Sequence, residues 1–396
     1  MRSPEERLAR LLDRHSEFLP VASDDPTGAI IRRDELLVPA RHAAAVEEAA
    51  RRWTDGRTDV EALGLARFRL RGDADVADLI TSQFSPEGGE PLAAPVHMFR
   101  GEPNYQGGPG GVPSPVPTSL PAPATASSGH RVTVAILDTG ISANHPWFPA
   151  TSWDAIDKDV DDRLDENNDY ELDAQAGHGT FIAGVVRQHA PGAHVLVGRV
   201  LGSDGVCDEM DLLRALLRLR DSSAASHHGI GVLNLSLGAY MWNDRPPALV
   251  SQAIESLGRD TVVVAAAGNN HNDRAFWPAA FEPVIGVGAL RADGTGPTSF
   301  SNYGSWVDAW APGDEVASSF VTFDGPKEKL PGTDIDPDCF TGFAHWSGTS
   351  FAAPRVAAEL ARRAQEEKSS PRDVRDAVLR QFTAPVNAAA VTDGGP

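Results

Sequence analysis

Short apolar runs alternate with amphipathic stretches along the C-terminal two thirds of the chain. Four runs have the length of a strand and are apolar almost throughout, at 132–137, 195–200, 230–235 and 261–267. Segments with helical periodicity lie between them, at 178–189, 208–221 and 248–257. Near-continuous apolar strands separated by helices predict a mainly parallel sheet covered on both faces, a three-layer α/β sandwich. Functional side chains in such folds lie beyond the carboxyl ends of the strands.

The first 100 residues follow a different pattern. Strand-like apolar positions occur at 30–31, 36–38, 65–70 and 96–99. Helix-like segments occur at 43–53 and 75–84, and Ser3 with Glu6 forms a capping box before an earlier helix. This order predicts a small βαββαβ module of the α+β, ferredoxin-like type.

A stretch rich in Pro, Gly, Ser and Thr separates the two patterns. It covers residues 101–129 and contains almost no large apolar side chains. Such a segment buries too little surface to offset the ordering of its backbone, so we expect a mobile linker. The predicted domains are therefore an N-terminal module at 1–100 and a larger domain at 130–384, followed by a flexible C-terminal tail at 385–396.

Composition and charge narrow the function classes. The net charge is −20 and no Lys/Arg patch stands out, so nucleic acid is not an expected partner. An anionic membrane surface is disfavoured on the same ground, and no apolar run approaches the ~20 residues that span a bilayer. Charged residues interrupt every apolar stretch near the N-terminus, so no secretory signal is recognised. We expect a cytoplasmic protein, with export by an unconventional route left open.

Three segments carry candidate chemistry. Asp138 ends the apolar run in VTVAILDTGI, His178 lies between two glycines in AGHGTFIAGVV, and Ser350 begins a helix in HWSGTSFAAPRVAAELA. Each has an ordinary structural interpretation, as a turn-capping acid, a structural histidine and an N-cap serine. Together, in sequence and in order, they resemble the subtilisin-like serine proteases (subtilases, peptidase family S8) over about 130–383. No histidine follows Ser350, which excludes an α/β-hydrolase, where the histidine comes after the serine.

The resemblance implies a serine endopeptidase that forms an acyl-enzyme on protein or peptide substrates. Ser350 would be the nucleophile, His178 the general base and Asp138 the group that orients the imidazole. The segment TVVVAAAGNN resembles the family's oxyanion-hole strand and assigns that role to Asn269. No cofactor is required for this chemistry. Two rivals are a binding protein without turnover, which the four intact groups argue against, and a ligase, for which the sequence shows no water-excluding feature.

Further segments resemble the edges of the family's substrate cleft. GVLNLSLGAY would offer backbone groups of Ser236, Leu237 and Gly238, and LGSDGVCDEM would form the opposing edge around Gly205, Val206 and Cys207. A peptide between two such edges would bind as an added β-strand. AFWPAAFEPVIGVGAL resembles the segment at the floor of the pocket for the residue before the scissile bond. Phe276 in that segment would favour apolar residues there, and core packing is the open alternative.

The segment between Asp138 and His178, DAIDKDVDDRLDENNDYELDAQ, holds ten Asp or Glu residues. It loosely resembles a calcium loop of some relatives, with Asp161, Asp165, Asn167 and Asp169 as candidate ligands. A solvated acidic loop is the alternative. The two cysteines, Cys207 and Cys339, lack zinc-site spacing and fit either one disulfide or two thiols.

The N-terminal module resembles, in its βαββαβ pattern alone, the propeptides of this family. Those segments assist folding and then block the cleft. The resemblance implies a zymogen whose module binds the cleft in cis and is released by cleavage within 101–129. A retained regulatory or substrate-docking domain is the alternative.

Overall fold

The computed structural model describes residues 9, 11–21, 28–72, 74–85, 90–101, 112–116, 119–123, 131–225, 229–326 and 339–383. The predicted C-terminal tail, the capping box at Ser3 and most of 101–129 lie outside the described residues. The chain divides into two compact units. The first contains residues 1–98, 208–210 and 239–249, and the second contains the remainder.

Strands and helices are numbered in chain order. Their bounds are β1 Phe18–Pro20, β2 Ile30–Pro39, α1 Ala40–Ala50, β3 Thr54–Val60, β4 Leu65–Leu70, α2 Val76–Gln83, β5 Ala94–Gly101, β6 Ser114–Pro115, β7 Thr133–Asp138, β8 Trp153–Ala155, α3 His178–His189, β9 His194–Arg199, β10 Val206–Asp208, α4 Glu209–Ala225, β11 Ile230–Leu235, β12 Leu237–Gly238, α5 Ala248–Glu255, β13 Val262–Ala266, β14 Val284–Leu290, β15 Ala309–Pro312, β16 Val316–Asp324, β17 Cys339–Trp346, α6 Thr349–Glu367 and α7 Pro371–Gln381.

The first unit contains the predicted βαββαβ succession, β2-α1-β3-β4-α2-β5. Its strands lie in the order β5-β2-β4-β3 with every neighbouring pair antiparallel, and β1 pairs with the free end of β2. The apolar faces of β2, β4 and the two helices form its core, with Leu36, Val46, Phe68 and Ile80 fully buried. The Asp75 side chain caps α2 by accepting the Asp78 N–H, as expected for an aspartate at that position.

Three buried or partly buried polar contacts join segments of the first unit that lie far apart in sequence. His97 Nδ1 lies 2.9 Å from Glu209 Oε2, and His97 Nε2 accepts the Trp242 N–H at 3.2 Å. Arg32 donates to the Asp208 carboxylate at 3.0 Å. Because residues 208–210 and 239–249 come from the middle of the chain, these bonds tie them to the sheet strands β2 and β5.

The second unit is built on a seven-stranded sheet in the order β15-β14-β13-β11-β7-β9-β8. Every neighbouring pair is parallel, and every residue of β7 is buried. Helices α3 and α6 pack against each other and onto this sheet. From β7 the chain first adds strands on one side and then continues with β11 on the other. The order of the sheet therefore reverses beside β7, which is where such sheets place their sites.

Part of the predicted linker is ordered against the second unit. Ser114 and Pro115 pair with His345 and Ala344 of β17, and Val116 is buried in the core. The expectation of a mobile stretch throughout 101–129 is therefore wrong for residues 114–116. These residues pair with β17, and the Val116 side chain is buried.

Cys207 and Cys339 are not joined by a disulfide. No helix in the described part of the chain has the length and apolar character needed to cross a membrane.

Candidate active site

Asp138 and His178 meet at the carboxyl end of β7. Asp138 is the last residue of this strand and His178 is the first residue of α3. His178 Nδ1 lies 2.7 Å from Asp138 Oδ1, which also accepts the Thr139 N–H at 2.8 Å. Both side chains are 0% exposed. His178 Nε2 has no hydrogen-bond partner among the described residues. A buried carboxylate thus holds one imidazole nitrogen and leaves the other available to a reacting group.

The glycines on either side of His178 permit this close approach. Gly177 has φ +82°, a conformation that side chains with a Cβ rarely adopt, and a Cβ there would lie 2.5 Å from the Phe320 ring. A Cβ at Gly179 would overlap the Gly140 carbonyl. The helix start can therefore lie directly on the loop that follows Asp138.

Asp162 anchors the first turn of this helix and was not recognised in the sequence. Its carboxylate accepts the Gly177 N–H at 3.0 Å, the Thr180 N–H at 3.2 Å and the Thr180 hydroxyl at 2.7 Å. Burial raises the pKa of Asp162, although these hydrogen bonds oppose the shift. An acid at a helix N-terminus also interacts favourably with the helix dipole. Asp162 stands among ten acidic residues, so no local signal distinguished it.

Ser350 lies in the first turn of α6. The ring of the next residue, Phe351, packs against the His178 ring with centroids 5.4 Å apart. The Ser350 hydroxyl donates to the Ser236 carbonyl at 3.3 Å, and the Ser236 hydroxyl donates to the Ser350 carbonyl at 2.8 Å. Ser350 is also 0% exposed. The structure thus brings Asp138 and His178 into contact, while the Ser350 hydroxyl is bonded to the Ser236 carbonyl and the neighbouring Phe351 contacts His178.

Asn269 lies at the N-terminus of the same helix. Its Oδ1 accepts the Thr349 N–H at 2.9 Å, and the Gly268 N–H donates back to Thr349 Oγ1 at 3.1 Å. The orientation of the Asn269 amide is therefore fixed, with Nδ2 as its donor end. Asn302, another residue that the sequence did not single out, donates to the Ala267 carbonyl at 2.8 Å and supports this turn.

The predicted cleft edges lie on both sides of a strand of the chain itself. The last residues of β5, Phe99–Gly101, belong to the second unit. Gly101 and Arg100 pair antiparallel with Leu237 and Gly238 of β12. On the other side, the Gly101 N–H donates to the Gly205 carbonyl at 2.8 Å. Val206 and Cys207 follow Gly205 and are buried.

Phe276 is fully buried between two glycines. A Cβ at Gly238 would lie 2.7 Å from Phe276 Cδ1 and would overlap another ring carbon. A Cβ at Gly268 would lie 3.2 Å from the same ring. The ring thus lies between β12 and the turn that carries Asn269. Its full burial fits the alternative of core packing, and its place at the floor of a substrate pocket stays a prediction.

The acidic loop uses its oxygen atoms within the protein. Asp165 accepts the N–H groups of Asp169 and Tyr170, and Asn167 donates to Asp169. The main chain of Asp161 pairs with that of Ile141 in an isolated parallel β-bridge. Within the described ranges no three His, Cys, Asp or Glu side chains are grouped so as to hold a metal ion. Calcium binding by Asp161, Asp165, Asn167 and Asp169 stays a prediction, and no catalytic step is assigned to calcium.

Glu166 connects this loop to the cleft edge that contains Gly205. Its carboxylate accepts the Ser203 N–H and hydroxyl, both at 2.9 Å, and pairs with Arg199 at 2.6 Å. Partial burial opposes ionisation, but the bonds from Ser203 and the Arg199 charge outweigh it and lower the pKa of Glu166 to about 2.

Comparisons with known proteins identify the family. The family model described as the subtilase family matches residues 129–393. A thermophilic serine proteinase of Bacillus sp. (strain AK1) is 34% identical over 246 residues, which are 58% of this chain and 51% of that protein. Thermitase from Thermoactinomyces vulgaris is 30% identical over 244 residues, which are 58% of this chain and 74% of thermitase. The chain thus spans about half the length of the Bacillus relative.

A solved structure supports the fold. The prenylagaramide maturation protease PagA has a TM-score of 0.51 and 22% sequence identity, over 68% of this chain and 88% of PagA. A likeness at this identity concerns the fold alone. The predicted fold class and the resemblance to subtilisin-like proteases are confirmed. The family model matches more than half of the residues of this chain, so the chain belongs to the subtilase family.

Proposed function

We propose that the protein is a serine endopeptidase that cleaves peptide bonds through an acyl-enzyme. The observation that carries this proposal is the buried His178–Asp138 pair, with Nδ1 and Oδ1 2.7 Å apart. Nε2 of the same ring has no hydrogen-bond partner among the described residues, and the ring packs against Phe351, the residue after Ser350. A base with one nitrogen held by a carboxylate and the other available is what a serine nucleophile requires.

The proposed reaction begins when the Ser350 hydroxyl leaves the Ser236 carbonyl and donates to His178 Nε2. Ser350 Oγ then attacks the substrate carbonyl while His178 takes the proton, and Asp138 stabilises the imidazolium. The Ser350 N–H at the start of α6 and Asn269 Nδ2 stabilise the oxyanion of the tetrahedral intermediate. His178 returns its proton to the leaving amine, and a water molecule activated by His178 hydrolyses the acyl-enzyme.

Substrate would bind as a β-strand between Ser236–Gly238 and the edge around Gly205 and Val206. The support for this is the strand Phe99–Gly101, which makes main-chain bonds to both edges. Phe276, buried beside Gly238 and Gly268, would leave little space for the side chain next to the scissile bond. A small apolar residue at this position is therefore the revised expectation.

The same strand supports restraint of the enzyme by its N-terminal module. The β5 strand starts in the first unit and ends at Gly101, paired where a substrate strand would pair. A bound segment of this kind competes with substrate, so the full chain would be a zymogen that acts after cleavage beyond Gly101. The alternative of a retained regulatory module predicts activity without loss of an N-terminal fragment.

The activity is tested by incubating the full-length protein with casein and identifying new peptides by mass spectrometry. We expect hydrolysis by the wild type, none by Ser350→Ala, and wild-type hydrolysis by Ser251→Ala, which alters a partly exposed helical serine. Intact mass measured in parallel shows whether hydrolysis begins when the N-terminal fragment is lost. Equal hydrolysis by wild type and Ser350→Ala would contradict the proposal.

A further inference from the structure

Gly101 occupies a defined position in the cleft, and that position can be related to the scissile bond. Gly101 is opposite Leu237 in an antiparallel pair. In a bound peptide, the next residue would be opposite Ser236, whose carbonyl accepts the Ser350 hydroxyl at 3.3 Å. If Ser350 attacks as proposed above, that next residue carries the reacting carbonyl. Gly101 therefore marks the second residue before the scissile bond.

The side-chain space at this position is filled by Gln175. A Cβ built on Gly101 would overlap Gln175 Oε1, and it would lie 3.2 Å from Gln175 Cδ and from Leu201 Cδ1. Carbon atoms in favourable contact lie about 3.5–4.0 Å apart, so even an alanine requires Gln175 to move. Gln175 Nε2 also donates to the Gly101 carbonyl at 3.0 Å.

Gln175 is 4% exposed, and two hydrogen bonds hold its backbone. Its N–H donates to the Ser203 carbonyl at 2.9 Å, and its own carbonyl accepts the His178 N–H at 3.1 Å. On the side away from Gly101 the carboxamide lies against Gly205, which has φ +81°, and a Cβ there would also overlap Gln175. The carboxamide thus fills the space between two glycines on facing strands.

One atom of this carboxamide is left without a bond. Gln175 Oε1 is buried and has no hydrogen-bond partner in the part of the chain that the structure describes. Displacement of the carboxamide by an apolar side chain would break the bond from Gln175 Nε2 to the Gly101 carbonyl, and Nε2 would then need another acceptor.

We propose that Gln175 makes the cleft selective for glycine at the second residue before the scissile bond. It excludes side chains by occupying their space and it selects the strand by donating to the carbonyl of the glycine. The substrates are therefore peptides with glycine at that position, and the chain's own Gly101 meets the same requirement. Misfit of a single small group in a pocket commonly costs about 10–200-fold in kcat/KM, and we expect an effect of this size.

The full-length chain provides the test, since its own strand competes with reagents for Ser350. A fluorophosphonate probe reports how fast Ser350 becomes modified. Gly101→Leu should be labelled at least about 10-fold faster than wild type because leucine cannot share the space with Gln175. Adding Gln175→Ala to Gly101→Leu should return the rate toward the wild-type value, a coupling that a double-mutant cycle quantifies.

A matched control and a second measurement complete the design. Arg100→Leu is the control, because Arg100 is opposite Gly238 and the proposal places Gln175 against Gly101. Adding Gln175→Ala to Arg100→Leu should therefore not slow its labelling. Two peptides that differ only by Gly or Ala at the second position are then compared as substrates of wild type and Gln175→Ala. Wild type should prefer the glycine peptide by about 10-fold or more, and Gln175→Ala should reduce that preference.

The outcomes separate this proposal from the proposed function. If Ser350 is labelled equally fast in wild type and Gly101→Leu, or if Gln175→Ala leaves the fast rate of Gly101→Leu unchanged, the selectivity proposal is wrong while the protease assignment stands. Equal cleavage of the two peptides by wild type has the same meaning. If no variant is labelled and neither peptide is cleaved, the proposed function fails and this inference fails with it.

Discussion

Removal of the Asp162 carboxylate should destabilise the protein and displace His178. The variant Asp162→Ala leaves the N–H groups of Gly177 and Thr180 without their acceptor at the start of α3. Each buried donor that loses its partner costs about 1–3 kcal/mol, so the upper range for the two is about 6 kcal/mol. Asp162 lines a separate cavity of about 370 Å³ together with Ser142 and His145. Water that enters this cavity can replace part of the lost hydrogen bonding. We therefore expect a decrease of about 2–4 kcal/mol in the free energy of unfolding.

The stability is measured by urea denaturation in the Ser350→Ala background, so that self-cleavage does not interfere. Asp165→Ala is the matched control, since Asp165 also accepts two backbone N–H groups but lies in the exposed acidic loop. We expect less than about 1 kcal/mol for the control because water replaces exposed acceptors. In the active background, Asp162→Ala should lower kcat more than it raises KM, since the helix start positions His178 and does not contact substrate.

Two results would refute this reasoning. A loss below about 0.5 kcal/mol would mean that Asp162 does not hold the helix start, because that is within the range of ordinary surface substitutions. Equal losses for Asp162→Ala and Asp165→Ala would mean that burial of the carboxylate does not matter. A normal kcat with clearly reduced stability would mean that Asp162 stabilises the start of α3 but does not position His178.

Three further predictions concern the surroundings of the site. The stability that Glu166 adds over Glu166→Gln should be complete above its ordinary pKa of 4.5 and be lost as the pH falls toward about 2, which urea denaturation at several pH values checks. Equal pH dependence of the two proteins would refute it. Phe276→Ala should extend cleavage from small to large residues before the scissile bond, seen in a peptide-library profile; an unchanged profile would show that the ring does not border that pocket. Gly177→Ala should cost about 1–3 kcal/mol and lower kcat, because its φ of +82° and the Phe320 ring both exclude a Cβ; a stable, active variant would contradict the close approach.

Elements with a strong local pattern were predictable from the sequence. Helix α3 begins at His178 as expected, because two glycines and a following apolar stripe mark its start. Strand β4 has its predicted bounds because its residues alternate. Strand β3, Thr54–Val60, had no such signal, since it is an exposed edge strand of polar residues that is defined by pairing with β4. The order of the strands in both sheets likewise depends on pairings between distant segments.

The candidate site likewise contains residues that the sequence indicated and residues that it did not. The strings around Asp138, His178 and Ser350 are local. The structure brings Asp138 and His178 into contact and packs Phe351, the residue after Ser350, against His178. Their catalytic roles stay predictions. Asp162 and Gln175 were not recognised, because an acid in an acidic segment and a glutamine before a glycine have no local pattern that indicates their contacts. Both roles arise only when the acidic loop, the start of α3 and the end of β5 are brought together.

Ser350 is proposed to act as a nucleophile that His178 activates. The most direct measurement is the mass of the adduct formed with a fluorophosphonate, located by peptide mapping, in wild type, His178→Ala and Asp138→Asn. We predict a single adduct on Ser350 in the wild type and a labelling rate reduced by about 10³-fold or more in His178→Ala. No adduct on Ser350 in folded, processed protein, or equal labelling of wild type and His178→Ala, would contradict the account.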